Sequence, residues 1–349
     1  MKKIYVQAYC QQNLGDDLFV LQLARRYPEH RFYVYAVGTN QRAFRGEKNI
    51  VLPNFFCRIR RKLTHLLRIP RREIFDGMGA DAKVIIGGSI LWEGAPLNFA
   101  TEEIPAFLVG ANCEQSYCAE FLPVLRRALS RLEGCSFRDC FSWQQVQPLL
   151  GSTYAPDVLY DWHSDLPTIQ GRGIGISVVS GKGCFRDEAV RRQYHRVIAE
   201  LCNLCTEQNL PVGLFGFCQS EGDDEAMQQI LTQVNVPQKV SCILYRGDPQ
   251  EILSAMNQYE SILATRFHAM ILGWVLGKNV VPIIYSAKQT HVLKDAEFHG
   301  AMWNALEGEC PDAQKLLADI QSQTGRLDIS SLKTSARQQF SGLDSWLKK

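Results

Sequence analysis

The chain has 349 residues, 46% hydrophobic and 21% charged, with 38 Lys and Arg against 36 Asp and Glu for a net charge of +2. That length exceeds what one ordinary core supports and predicts two domains, and the composition is that of a globular enzyme, outside the disordered and fibrous classes. The near balance of charge gives no global case for nucleic acid, so an electrostatic partner has to be read from local patches.

Met1-Lys2-Lys3 runs straight into Ile4-Tyr5-Val6, too short a lead for a signal-peptide core, and reads as the start of a first strand over 3–8. No apolar run approaches the length of a membrane-spanning helix. The twelve cysteines are scattered along a chain too large to need disulfide staples, which fits reduced thiols in the cytoplasm. Cys202 and Cys205 form a C-x-x-C inside a helical run and read as small buried hydrophobes, since no second ligand pair lies close by.

After the first strand, residues 9–16 form a loop, a helix is predicted over about 17–27, and a strand over 31–36. In open parallel sheets ligands gather beyond the carboxyl ends of strands, where Asn13-Leu14-Gly15-Asp16 falls. Gly15 permits a tight turn, and Asp16 or Asp17 is placed to cap the helix, Asp17 being the simpler cap and Asp16 a candidate base or hydroxyl-binding carboxylate. Arg58, Arg60, Arg61, Lys62, Arg68, Arg71 and Arg72 then crowd residues 58–72, interleaved with Leu63, Leu66, Leu67 and Ile69 and without an acidic residue among them. Such a segment is either a solvated positive face or a peripheral contact with an anionic membrane surface at the inner face of the cell membrane. A strand over 83–86 ends in Gly87-Gly88-Ser89, followed by Trp92 and Glu93, a flat face and a carboxylate suited to a sugar. Further strands are expected over 106–110 and 135–137, with helices over 122–132 and from Asp139 to about 150. Arg138-Asp139 alone reads as a local ion pair or a helix cap.

Ala155-Pro156-Asp157, Asp165-Leu166-Pro167 and Gly171-Arg172-Gly173 are turn-rich and put the domain boundary near residue 168. The two domains are then 1–168 and 169–349, with the last helix packing back on the first domain. The second half repeats the alternation, with strands over 174–179, 212–217, 239–244, 261–264 and 280–285. Its helices fall over about 188–208, from 223, from 249, over 312–324 and over 331–347. The stretch Ser261-Ile262-Leu263-Ala264-Thr265-Arg266-Phe267-His268 is a strand delivering Arg-x-His to a helix, with Thr265 as a plausible N-cap. There the helix dipole and the first N–H groups favour an anion. Either this is a phosphate or carboxylate site, or Arg266 is a structural partner of a nearby carboxylate and His268 a satisfied half-buried imidazole.

Taken together these residues resemble the polysaccharide pyruvyl transferases, which transfer pyruvate from phosphoenolpyruvate to sugars as a ketal. The resemblance is carried in order by Asn13-Leu14-Gly15-Asp16, Val84-Ile85-Ile86-Gly87-Gly88-Ser89, Phe137-Arg138-Asp139, Ala155-Pro156-Asp157, Ile174-Gly175-Ile176-Ser177, Thr265-Arg266-Phe267-His268-Ala269 and Tyr285-Ser286-Ala287-Lys288. It implies an α/β chain of two Rossmann-like domains facing across a cleft, GT-B-like, with phosphoenolpyruvate held mainly by the second domain. It further implies a donor site of Arg266, Phe267, His268 and Lys288 completed by Arg138 from the first domain. Two motifs depart from the family pattern. Cys113-Glu114-Gln115-Ser116 stands where many members carry Gly-Pro, and Val178-Val179-Ser180 stands where members often place a basic residue, with Lys182 the nearest cation.

The chemistry suits these residues. Phosphoenolpyruvate carries a phosphate and a carboxylate and needs fixed cations, and a group titrating near neutrality suits proton delivery to its methylene carbon, a role His268 fits. On the acceptor side, Asn13, Asp16, Ser89, Trp92 and Glu93 are the candidates, with Asp16 the candidate base. Neither a cofactor nor a metal is required by this set. The expected partners are phosphoenolpyruvate and a sugar or lipid-linked glycan in a bacterial surface-glycan precursor, and a homo-oligomer is compatible with the sequence. The competing readings are a nucleotide-sugar glycosyltransferase or epimerase of similar fold, and a glycan-binding protein without catalysis.

Overall fold

The computed structural model describes residues 1–53, 79–93, 104–113, 116–181, 185, 187–308 and 311–349. The basic segment 58–72, Glu114-Gln115 and Lys182 lie outside the described residues. The chain divides into two compact units: unit 1 comprises Met1–Gln11, Asp16–Val158 and Arg337–Lys349, and unit 2 comprises Gln12–Gly15 and Leu159–Ala336.

Unit 1 is built on a parallel sheet of β1 (Lys3–Gln7), β2 (Arg31–Val34), β3 (Ile50–Val51), β4 (Ala82–Ile86), β5 (Ala106–Ala111), β6 (Gly134–Phe137) and β7 (Ser152–Tyr154), in the order β3-β2-β1-β4-β5-β6-β7. Every residue of β4 and β5 is buried, as expected of central parallel strands covered on both faces. The connections include α1 (Leu14–Arg26), α2 (Phe121–Leu129) and α3 (Cys140–Val146). Strand order reverses between β1 and β4, with Val6 opposite Val84, so the loops after these two strands flank a topological switch point.

Unit 2 repeats the plan with β8 (Ile174–Ser177), β9 (Val212–Gly216), β10 (Val240–Leu244), β11 (Ser261–Ala264), β12 (Asn279–Ile284) and β13 (Trp303–Asn304), ordered β10-β9-β8-β11-β12-β13 and again parallel. Here the switch point lies between β8 and β11, with Ser177 opposite Ala264. Among its helices are α4 (Glu188–Glu207), α5 (Asp223–Leu231), α6 (Pro249–Asn257), α7 (Phe267–Val275), α8 (Ala287–Asp295), α9 (Ala313–Gln321) and α10 (Ser330–Ala336). The 20-residue α4 buries Tyr194, Val197, Ile198, Leu201, Cys202 and Cys205 along one face, so both cysteines of the C-x-x-C belong to the core. No helix among the described residues is long and apolar enough to cross a membrane.

The structure departs from the predicted elements in a few places. β3, β7 and β13 are edge strands of two or three residues and carry too little pattern to be read from sequence. In place of one helix over 331–347, α10 is followed by a 3-10 turn at Arg337–Phe340 and α11 (Ser341–Leu347). The turn presents buried Gln339 to the strand ends of unit 1. Its Nε2 donates to the carbonyls of Phe137 (2.9 Å), Pro156 (3.2 Å) and Ala155, and its Oε1 accepts from the Gly110 N–H (3.1 Å).

Candidate active site

In unit 2 the chemistry gathers at the carboxyl ends of β8, β11 and β12. Thr265, expected as the N-cap of α7, is instead still held by the sheet. Its N–H donates to Ser177 Oγ (3.0 Å), and its own hydroxyl is hydrogen-bonded to the Tyr194 hydroxyl (3.0 Å). The N-cap is therefore Arg266, whose N–H also donates to Ser177 Oγ (3.1 Å), and Phe267 and His268 open the first turn of α7. No side chain caps this helix.

Arg266 is 9% exposed, and its guanidinium is committed to two carboxylates. Nε donates to Asp223 Oδ2 (3.1 Å), Nη2 to Asp223 Oδ1 and Nη1 to Glu221 Oε2. Asp223 is fully buried and further accepts from the N–H groups of Phe217 (2.7 Å) and Cys218 (2.9 Å). Burial alone lowers a guanidinium's basicity, but Asp223 and Glu221 outweigh it and hold Arg266 protonated. Glu221 is the solvent-side member, with a side chain 37% exposed. Burial raises its pKa and Arg266 more than reverses this, leaving the carboxyl below its usual range. Formally the trio carries one negative charge. Arg266, a donor residue by the resemblance, thus has its guanidinium paired with two carboxylates, the kind of partner the structural alternative expected.

The segment Gln12–Gly15 belongs to the same unit and closes over this end of the sheet. Asn13 bridges Cys218, the Leu14 N–H donates to the Phe217 carbonyl (3.1 Å), and Gln12 Nε2 donates to the Arg246 carbonyl (3.2 Å). Asn13 Nδ2 donates to Glu221 Oε1 (3.2 Å), while its Oδ1 accepts from the Gly15 N–H (3.1 Å). Asn13, not Asp16 or Asp17, thus caps α1, which begins three residues earlier than predicted because Leu14 is buried and Asn is a favoured cap. Gly15 lies against the imidazole of His268, so that a Cβ on Gly15 would sit 1.7 Å from Nδ1. On another side Phe267 meets the same ring edge-on, with centroids 5.0 Å apart at 82°. Phe267, expected at the donor, is buried beside the His268 ring.

Lys288 is half-buried in the first turn of α8, whose N-cap Ser286 makes no side-chain cap bond. The next residue, buried Gln289, ties that turn to its neighbours. It donates to the carbonyls of Thr265 and Ile283 (both 3.0 Å) and accepts from the Tyr285 N–H (2.9 Å). Two helix N-termini without side-chain caps, those of α7 and α8, therefore start side by side at adjacent strand ends, an arrangement that attracts anions.

In unit 1, Arg138 follows β6 and is 3% exposed. It donates to Asp157 Oδ2 (3.1 Å) and Asn112 Oδ1 (2.5 Å), and it packs so tightly on Gly88 that a Cβ there would lie 2.3 Å from its Cζ. Arg138 is thus ion-paired within its own unit, with Asp157 as its carboxylate partner. Asp139 caps α3, accepting from the Ser142 N–H (2.7 Å) and hydroxyl (2.8 Å). Asp16 is half-buried near Gly87, where a Cβ would lie 3.7 Å from Asp16 Oδ1. Ser89, Trp92 and Glu93 are exposed after β4; Trp92 keeps 57% of its surface open, and Glu93 Oε1 accepts from the Cys118 N–H (2.7 Å). Among the described residues no group of three or more His, Cys, Asp or Glu is placed to hold a metal ion.

A family model described as polysaccharide pyruvyl transferase matches residues 13–287. The chain belongs to the polysaccharide pyruvyl transferase family. It is accordingly a transferase, and the match spans the Asn13-Leu14-Gly15 segment, Arg138, Asp157 and the Arg266–His268 turn. No curated protein matches the chain. Among solved structures, a putative UDP-N-acetylglucosamine 2-epimerase from Listeria monocytogenes superposes with a TM-score of 0.63 at 7% identity, covering 99% of this chain and 96% of that one. The MnaA–UDP structure from S. aureus follows at 0.62 and 11%, covering 100% and 97%. Anabaena HepE in complex with UDP-glucose gives 0.56 and 12%, with both chains fully covered. At such identities the likeness establishes the fold alone, which is GT-B-like.

Sequence reasoning missed several residues that meet at these strand ends. Glu221 and Asp223 flank Gly222 a few residues beyond β9, and this acidic turn past a strand's carboxyl end signals a cation to be met, although not which one. The contacts of Ser177 and Gln289, which fix Thr265 and the start of α8, carry no signal in sequence because each is made to backbone groups brought near only by the fold.

Proposed function

We propose that the chain transfers the pyruvyl group of phosphoenolpyruvate to two hydroxyls of a sugar in a surface-glycan precursor, forming a cyclic ketal and releasing phosphate. Family membership over residues 13–287 supports a phosphoenolpyruvate donor and a glycan acceptor. The observation that carries the catalytic assignment is the imidazole of His268, in the first turn of α7, with Gly15 and Phe267 against it.

His268 in its acid form protonates the methylene carbon while the first sugar hydroxyl adds to the adjacent carbon and gives up its proton. Phosphate then leaves, and the second hydroxyl closes the ring. Of the two hydroxyl protons, one resides in the new methyl group and the other leaves on hydrogen phosphate, so His268 is returned to its starting form. General acid–base catalysis of this kind contributes about a hundredfold to ten-thousandfold.

For the donor, the charge comes from Lys288, from the N-termini of α7 and α8, and from the Nη1 edge of Arg266, where a donor carboxylate competes with solvent-side Glu221. For the acceptor, the reading assigns Asp16 to the sugar hydroxyls, with Ser89, Trp92 and Glu93 as further contacts. Arg138 acts by setting Gly88 and Asn112 in place. The basic segment 58–72 favours a lipid-linked precursor, and binding of the protein to anionic vesicles at low salt is the expected sign.

The test is incubation with phosphoenolpyruvate and candidate lipid-linked or nucleotide-linked sugars, followed by phosphate assay and mass spectrometry. The expected product is heavier by one pyruvate ketal, with phosphate released in equal amount. Release of a nucleotide from a nucleotide sugar without consumption of phosphoenolpyruvate overturns the reading.

A further inference from the structure

We propose that Asn13 is a positioning residue for His268, acting through Gly15, and that the segment Gln12–Gly15 thereby belongs to the proton-transfer machinery rather than to the acceptor site. The inference rests on the reading of His268 as the proton carrier.

Both ends of the Asn13 carboxamide are in use. The donor end meets Glu221, and the acceptor end holds the Gly15 N–H. The second of these bonds sets the first turn of α1 and with it the Cα of Gly15, whose missing side chain is what leaves room for the ring: a Cβ would fall 1.7 Å from Nδ1 and 2.4 Å from both Cε1 and Cγ of His268. The bridge to Cys218 and the Leu14 bond to Phe217 anchor the segment to the two residues just after β9, which are also the ones whose N–H groups donate to Asp223. The imidazole is therefore confined by Phe267 from its own helix and by Gly15 from a segment some 250 residues earlier in the chain. A misplacement of about 1 Å in an acid that must reach a carbon atom costs up to about a hundredfold in rate. Asparagine suits position 13 because it supplies a donor for a carboxylate and an acceptor for an N–H at once. Aspartate supplies the acceptor and sets two like charges against each other.

The experiment compares Asn13→Ala, Asn13→Asp and Asn13→Ser with the unaltered protein, using the full chain, phosphoenolpyruvate and the acceptor found above, together with nitrogen NMR of the His268 imidazole. Alanine and aspartate are expected to lower kcat about ten- to a hundredfold with the phosphoenolpyruvate KM within twofold, and to shift the His268 ring resonances. Serine keeps a capping oxygen for the Gly15 N–H and is expected to recover most of the rate. If Asn13→Ala does not fold, the contrast between Asn13→Ser and Asn13→Asp carries the same reading. Unchanged kcat and unmoved His268 resonances in Asn13→Ala and Asn13→Asp overturn the proposal, as does an effect confined to the acceptor KM, which returns Asn13 to the acceptor site. His268→Gln, assayed alongside, separates the two claims: full turnover there removes the proton-carrier reading, while the ring resonances of the Asn13 variants still report on positioning.

Discussion

His268 is a single imidazole placed by a helix start, an aromatic edge and a glycine, and each of these supports can be removed separately. His268→Gln is expected to lower phosphate release by at least about a hundredfold while phosphoenolpyruvate still binds, as read by a phosphate assay and by calorimetry. Gly15→Ala is the complementary test. One methyl group enters the space held by Nδ1, so the ring must turn away, and turnover is expected to fall even though the imidazole is retained. Gly88→Ala has the same logic in unit 1, where the added methyl group meets the Arg138 guanidinium and is expected to cost about 1–3 kcal/mol of stability, measurable by denaturant unfolding.

At the scale of elements, the start of α5 and the start of α7 are joined by a buried ion cluster rather than by apolar contact alone. Arg266→Ala leaves Asp223 buried without its guanidinium and is expected to cost about 3–5 kcal/mol, so lost donor binding in that variant has to be judged beside its melting temperature. Arg266→Lys keeps a charge but loses the two-pronged grip on Asp223 and is expected to fall between the two. The cluster also sets a pH dependence. Because the folded-state pKa of Glu221 lies below its ordinary 4.5, the stability it contributes is complete above that value and is lost as pH falls through the depressed one. Melting temperature is therefore expected to fall in acid less steeply once Glu221 is replaced by Gln.

The alternation of strands and helices was legible because buried parallel strands such as β4 and β12 carry short, mostly apolar stretches over 84–86 and 280–284 and α4 is a long amphipathic one. The position of His268 in the first turn of a helix after a strand was legible too. What the chain order hid was which carboxylate meets which arginine. Arg138 and Asp157 stand 19 positions apart, Arg266 and Asp223 43, and no local pattern joins residues brought together only by the order of the strands in each sheet. The cap of α7 moved from Thr265 to Arg266 for a related reason: Ser177, on an adjacent strand, captured the N–H of Thr265 and kept it extended.

At the scale of the whole molecule, neither unit is one continuous stretch of chain. Gln339 supplies four hydrogen bonds to backbone groups of unit 1, and Asp344 accepts from Arg26 Nη2 (2.7 Å) and the Tyr27 hydroxyl (2.6 Å) within the same unit. Gln339→Ala is expected to strand several of those backbone groups at about 1–3 kcal/mol each and to lower the unfolding midpoint accordingly.

The return of 337–349 to unit 1 has a bearing on synthesis. A ribosome that has finished residue 158 has made the central strands of that unit but none of the residues that finish it, and nearly 180 more must emerge before Arg337 does. Its nascent first half therefore waits, with strand ends unsealed, while the intervening unit has all of its own residues and can settle ahead of it.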